Sequence, residues 1–159
     1  MAPPRLVLDT NACLDLFVFG DASCAALRAA LDAGAVEAVT DAACRDEWLA
    51  VLAYPQLALG AAPRDAAMAA FDARLRLLPE AERRPLPATP KLPRCADPDD
   101  QKFLELAQAC AAQWLLSRDG ALLKLARRTR RDHGFDIATP QAWSGTYAGL
   151  TGASSAKPV

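Results

Sequence analysis

The stretch RLVLDTNACLDLF, residues Arg5 to Phe17, decides how the chain is read. Its apolar run Leu6-Val7-Leu8 stops at three small polar residues, Asp9-Thr10-Asn11. A short run of Leu and Val bounded in this way predicts a buried strand that delivers a carboxylate to the C-terminal edge of a sheet. That edge is where open α/β sheets bind ligands. Strand stability does not ask for the acid. Asp is depleted in strands, and burying its charge is costly unless a cation or hydrogen-bond donors meet it. The segment that follows offers at most a helix for Asp9 to cap.

Outward from this strand, helix and strand patterns alternate. Asp21 can cap a helix carrying Cys24, Leu27 and Leu31 that Gly34 stops, and Val36 to Val39 reads as a second strand. Thr40 or Asp41 can cap the next helix, whose apolar stripe is Cys44, Trp48, Val51 and Leu52 and whose end is Tyr54-Pro55. Met68, Phe71, Leu75 and Leu78 suggest a further helix. Six prolines between Pro79 and Pro98 then require mostly extended chain, a connector across the surface. Asp97-Pro98-Asp99-Asp100 opens a helix bearing Phe103, Leu104, Ala107 and Ala111, with Pro98 suited to its first position. Trp114 to Leu116 reads as a strand, and a helix through Leu122, Leu123 and Leu125 follows the turn Ser117-Arg118-Asp119-Gly120. Phe135 to Ala138 could form a last short strand, and Thr139-Pro140 starts a final helical turn around Trp143.

Strands separated by helices predict an α/β three-layer sandwich, Rossmann-like, with a central, mostly parallel, twisted sheet flanked by helices. The chain's 159 residues, 52% of them hydrophobic, suit one core, so residues 1–143 are expected to form a single domain. Residues 144–159, rich in Gly, Ser, Thr and Ala, have little to bury and are expected to be a flexible tail. A net charge of -1 argues against a generally basic nucleic-acid coat while leaving room for a local basic patch. Five cysteines with no C-x-x-C pair read as small buried hydrophobes in a reducing compartment. No targeting core or membrane-length apolar run is present, so a cytoplasmic protein without a membrane role is expected.

The acids fall into place on this frame. Asp119 follows the Trp114 to Leu116 strand much as Asp9 follows the first. Glu47 lies three residues after Cys44 and four before Val51, inside an apolar helical stripe. Asp100 precedes Phe103, Leu104 and Ala107 by three, four and seven residues, on a core-facing line. Asp99 shares part of that geometry, so periodicity does not choose between the two. Singly, each acid has a plain explanation: capping for Asp97, Asp99 and Asp100, a stripe border for Glu47, a turn for Asp119 before Gly120. Together they repel one another and call for a cation or a bound proton. Oxygen ligands without His or Cys select Mg²⁺ or Mn²⁺, whose sites usually serve phosphate chemistry. The lone His133 sits in a polar segment, and no Gly-Lys-Ser or Gly-Lys-Thr occurs, so neither a Ser-His-Asp triad nor a phosphate-binding loop is supported. Metal-assisted phosphodiester chemistry is the inference.

Five segments, LVLDTN, CRDEWLAVLAYP with Glu47, DPDDQKFLELA, LLSRDGALLKL and IATPQAW, resemble as an ordered set the PIN domain, in its branch of small toxins. The resemblance runs from Arg5 to about Trp143. It implies that Asp9, Glu47, Asp100 and Asp119 are the catalytic, metal-holding acids, with Thr10, Asn11 and Ser117 in support. It also prefers Asp100 over Asp99, because Asp100 directly precedes QKFLELA. The implied activity is an Mg²⁺- or Mn²⁺-dependent endoribonuclease in which Asp9, Glu47 and Asp100 hold one ion. Asp119 would help hold a second ion or the attacking water, and a 3′-hydroxyl and a 5′-phosphate would be released. An antitoxin partner and a homodimer are implied as well. RNA phosphates could be gripped by Arg127, Arg128, Arg130 and Arg131, or by Arg83 and Arg84, although a solvated helix end or loop is the plainer account of both clusters.

Two positions depart from the family's pattern. Ala121 stands where a second acid is common, which implies weaker metal affinity, and Gln113-Trp114 replaces an Asp followed by a small or β-branched residue. A dehalogenase-like phosphatase would need an Asp where Asn11 stands, and a receiver domain would need a late Lys with no clear counterpart here. A catalytically weak RNA- or partner-binding module on the same fold is the remaining alternative, and the presence of all four acids counts against it.

Overall fold

The computed structural model describes residues 2–151. Five strands form one sheet: β1 (Arg5–Leu8), β2 (Glu37–Thr40), β3 (Leu75–Leu77), β4 (Trp114–Leu116) and β5 (Asp136–Ala138). Their order is β3-β2-β1-β4-β5 and every neighbouring pair is parallel. Helices α1 (Thr10–Phe17), α2 (Ala25–Asp32), α3 (Ala42–Leu52), α4 (Ala61–Arg74), α5 (Gln101–Ala109), α6 (Gly120–Leu123), α7 (Ala126–His133) and α8 (Pro140–Thr151) supply the connections. The three-layer α/β sandwich expected from the alternation is the fold observed, with the parallel sheet at its centre.

Strand periodicity divides the core in two. Leu6 and Leu8 of β1, with Ala38, Trp114 and Leu116, face a cluster that includes Trp48, Phe71 and Leu27. Val7, Val39, Leu115 and Ile137 point the other way, onto Phe103, Leu104, Leu122 and Phe135. A period of two puts successive residues of every strand on opposite faces, which is why these strands read as continuous apolar runs. All five cysteines are unpaired and buried, in keeping with their reading as small hydrophobes.

Two elements differ from expectation. Leu75, expected to continue a helix toward Leu78, instead breaks to extended geometry (φ −108°, ψ 133°) and begins the edge strand β3 beside β2. The second concerns residues 144–151, expected to be loose, which are helical as part of α8. Trp114 packs edge-on against Trp143 at 5.8 Å, and Trp143 stacks on Tyr147 at 4.6 Å, so aromatic burial holds this helix to the sheet. The rest of the expected tail lies outside the described residues. The proline-rich connector carries one short turn, Glu80–Glu82, and is otherwise irregular until Pro98. Buried Gln101 clamps its end, accepting from Cys95 N at 2.8 Å and donating to Pro93 O at 3.1 Å.

Asp41, just after β2, caps α3 through Oδ1, which accepts from Cys44 N at 3.0 Å, while Oδ2 accepts from Arg83 at 2.8 Å. Burial pushes its carboxyl up, but these donors outweigh burial and leave it below the usual carboxylate range. Asp41→Ala is expected to cost about 1 kcal/mol, seen as a lower urea midpoint at unchanged slope. Because the folded value is depressed, the contribution is full above the unfolded value and drains away as pH falls through the folded one. The midpoints of wild type and variant should therefore converge below about pH 4.

Candidate active site

In this sheet β1 is central: its first crossover leads to β2 on one side, and β4 lies on the other. The crevice beyond the C-terminal ends of such a switch point is the standard ligand position of the architecture. Asp9 stands there, only 3% exposed, and its N–H extends the ladder by donating to Leu116 O at 3.1 Å. Both of its carboxylate oxygens are met. Oδ1 accepts from Ala12 N at 2.8 Å, and Oδ2 accepts from the Ser117 hydroxyl at 2.5 Å.

Ser117 is fully buried and serves two acids, for its oxygen also accepts from Asp119 N at 2.9 Å. Asp119 caps α6 through Ala121 N, at 3.0 Å, and its carboxyl stands within hydrogen-bonding reach of Asp100. Burial, then that contact and the charges of Asp119, Asp97 and Asp9, push Asp100 up to about 7. Its contact with Asp100 and the N–H of Ala121 hold Asp119 below the usual range. Burial raises Asp9 to about 6, against the donors Ser117 and Ala12. The charge of Asp119 raises Asp9 further and that of Arg118 lowers it. Arg118 is itself held by buried Asp15, at 2.5 Å.

Glu47 approaches from α3. Its carboxylate accepts from the Thr10 hydroxyl and from the ammonium of Lys102. Lys102 also donates to the Asp99 carbonyl and lies 5.1 Å from the centre of the Phe103 ring. Asp9, Thr10, Asn11, Glu47 and Asp100 line one cleft of about 310 Å³, whose other wall is Leu14, Val51, Tyr54 and Leu57. Of the two candidates on the DPDD segment, Asp100 reaches this cleft while Asp99 faces solvent.

A PIN domain family model matches residues 5–121. The chain belongs to the PIN domain family. No curated protein matches it. PIN domains are typically nucleases that act with divalent metal ions.

In this PIN domain the all-oxygen donor set suits a hard divalent cation, and Asp9 and Asp100 are both raised, chiefly by burial and then by the neighbouring Asp119, so a bound cation would relieve the cost of their ionisation. Among the described residues no group of three or more His, Cys, Asp or Glu stands ready to chelate one ion. Glu47 is turned instead onto Thr10 and Lys102. Lys102 was not singled out in the sequence, where it reads as one charge on a solvated helix start. Its signal is the spacing of three residues from Asp99 on a helix whose first turn is acidic. The basic cluster on α7 is partly spent, since Arg130 pairs with Asp136 at 2.6 Å and Arg131 with Asp132 at 2.9 Å. None of its four arginines lines the cleft.

Asp9 in the folded chain titrates above its unfolded value of 3.8, so the stability it confers is complete below that value and is lost as pH rises through about 6. In metal-free buffer this group should lower wild-type stability by on the order of 2–3 kcal/mol between about pH 4 and pH 7. Asp9→Asn should lack that slope and be the more stable protein at neutral pH. Urea unfolding at a series of pH values checks this, and identical profiles for the two proteins would contradict it.

Proposed function

We propose that this PIN domain is a metal-dependent endoribonuclease, hydrolysing RNA phosphodiester bonds as the toxin of a toxin–antitoxin pair in the cytoplasm. The observation that carries the reading is the chain of contacts from Asp9 through Ser117 to Asp119 and on to Asp100, with Glu47 in the same cleft. A fold with no use for a cation would gain by replacing such acids with neutral groups. RNA as the substrate, the antitoxin and a homodimer follow from the resemblance to the small toxin branch.

In this reading Asp9, Glu47, Asp100 and Asp119 hold Mg²⁺ or Mn²⁺, and Thr10, Asn11 and Ser117 orient them. A divalent ion bound there supplies charge neutralisation for the phosphoryl group and a lowered pKa for the attacking water. Ser117 and Ala12 N keep Asp9 in one rotamer, so its free lone pairs point in a fixed direction. Asp100, pushed up to about 7 by burial and the neighbouring Asp119, is the carboxyl suited to take the proton leaving water. Lys102 competes with a cation for Glu47, and its ammonium, where displaced, would be available to a substrate phosphate. Arg127 and Arg128 remain to hold flanking phosphates, while Arg130 and Arg131 bring less because carboxylates already engage them.

Single-stranded RNA incubated with the purified chain and Mn²⁺ should be cleaved, and chelation by EDTA should stop the cleavage. Asp9→Asn and Asp100→Asn should each slow it by on the order of 100-fold or more. Cleavage by Asp9→Asn at the wild-type rate would sink the assignment. Calorimetry with Mg²⁺ addresses Glu47 separately: Lys102→Met should bind the ion several-fold more tightly than wild type, roughly what removing one nearby charge confers. If Lys102→Met and Glu47→Gln both bind Mg²⁺ as wild type does, Glu47 takes no part in the metal site.

A further inference from the structure

The cleft has a second wall that acid chemistry does not require. Leu14 of α1, Val51 of α3 and Leu57 make it apolar, and Tyr54, 52% exposed, stands at its rim. Glu47 and Val51 are one helical turn apart on α3, so the wall continues the line on which the acid lies. Past the end of α3 the chain is pinned rather than loose. Tyr54 N donates to Val51 O at 3.0 Å, Leu57 N donates to Tyr54 O at 3.0 Å, and Pro55 opens the short 3₁₀ turn between them. This places an aromatic ring on a hydrogen-bonded stretch of backbone at the mouth of an acidic cleft, with the exposed amide side chain of Gln56 beside it.

We infer that this wall is a binding subsite for the base of an unpaired nucleotide flanking the cleaved phosphodiester, with Tyr54 as its stacking platform. The inference rests on the nuclease reading above and extends it to how the substrate is seated. Inorganic phosphate and a metal ion would find nothing to contact on Leu14, Val51 and Leu57, whereas a base presents a flat apolar face to exactly such a surface. A cleft of about 310 Å³ admits one nucleoside-sized group and not a duplex, whose bases keep their faces stacked on each other. The amide of Gln56 can both donate to and accept from a base edge, which gives the subsite a means of preferring some bases. Tyr54 is a positioning residue here and takes no part in bond cleavage.

The test uses the full chain carrying Asp9→Asn, so that substrate survives, and a single-stranded oligoribonucleotide in which one 2-aminopurine is moved along the strand. Wild-type Tyr54 should quench the fluorophore at one position next to the cleavage site, and a duplex of the same sequence should show no quenching. Tyr54→Ala should abolish the quenching and weaken binding by about 5- to 100-fold, while Tyr54→Phe should preserve both. An abasic residue at that position should weaken binding equally, and combining it with Tyr54→Ala should bring no further loss. Independent, additive losses would overturn the subsite, as would Tyr54→Ala binding RNA like its parent, the result expected if a protein partner occupied the wall. A wild-type chain that cleaves RNA normally while Tyr54→Ala changes nothing removes the subsite alone. Failure of the wild type to bind or cleave any single strand removes the nuclease reading with it.

Discussion

A carboxylate can be kept inside a fold only if its oxygens are met, and Asp9 meets that condition through the hydroxyl of Ser117. The contact sets more than one side chain. Ser117 is the first residue beyond β4, so its reach to Asp9 depends on the pairing of Leu8 with Leu116 at the end of the β1–β4 ladder. A slip of one residue would turn Ser117 to the opposite face of the sheet and leave Asp9 with an unmet oxygen. The same hydroxyl receives the N–H of Asp119, which fixes where α6 begins and where its capping acid stands. Sheet register, helix start and charge placement are thus a single constraint expressed at three scales.

How far the chain was legible follows from the kind of signal each element carries. The strands β1, β2 and β4 are short apolar runs with abrupt polar ends, and α3 and α5 show stripes at helical spacing, so they could be read directly. The strand β3 could not, because Leu75 and Leu78 repeat at a spacing a helix also uses and no Gly or Pro separates β3 from α4. The last helix was obscured by Gly, Ser and Thr, residues that weaken a local signal while leaving a stack of Trp143 on Tyr147 free to form. Among the site residues, Glu47 betrayed itself as a charge inside an apolar stripe. Choosing Asp100 over Asp99 needed family resemblance, since both satisfy the periodicity, and three dimensions were needed to see which one enters the cleft. Lys102 offered only its spacing of three from Asp99 and Tyr54 only a helix end: a Lys on a helix and a Tyr before a Pro look ordinary until their neighbours are known.

Capping and chemistry, which compete as explanations of each acid in the sequence, turn out to coexist in the same side chains. Asp9 and Asp119 each use Oδ1 to cap a helix, and the second oxygen of Asp9 is taken by Ser117. On the DPDD segment the labour is divided differently. Asp97 takes the capping bond from Asp99 N, at 2.9 Å, and so releases Asp100 from any structural duty. Negative charge accumulates in this cleft at positions where helix starts already favour acids, which lessens the cost of gathering it.

The stack of Trp114, Trp143 and Tyr147 separates two lengths that are easily confused. All four acids fall within residues 5–121, the portion shared with the family. The sheet is not closed there: β5 covers the outer side of β4, and α8 covers the indole of Trp114. A polypeptide ending after Asp119 would contain the complete chemical inventory yet expose an unpaired strand edge and a bare tryptophan, the usual ingredients of self-association. The unit that carries the chemistry is therefore shorter than the unit that covers this strand edge and this indole while carrying it.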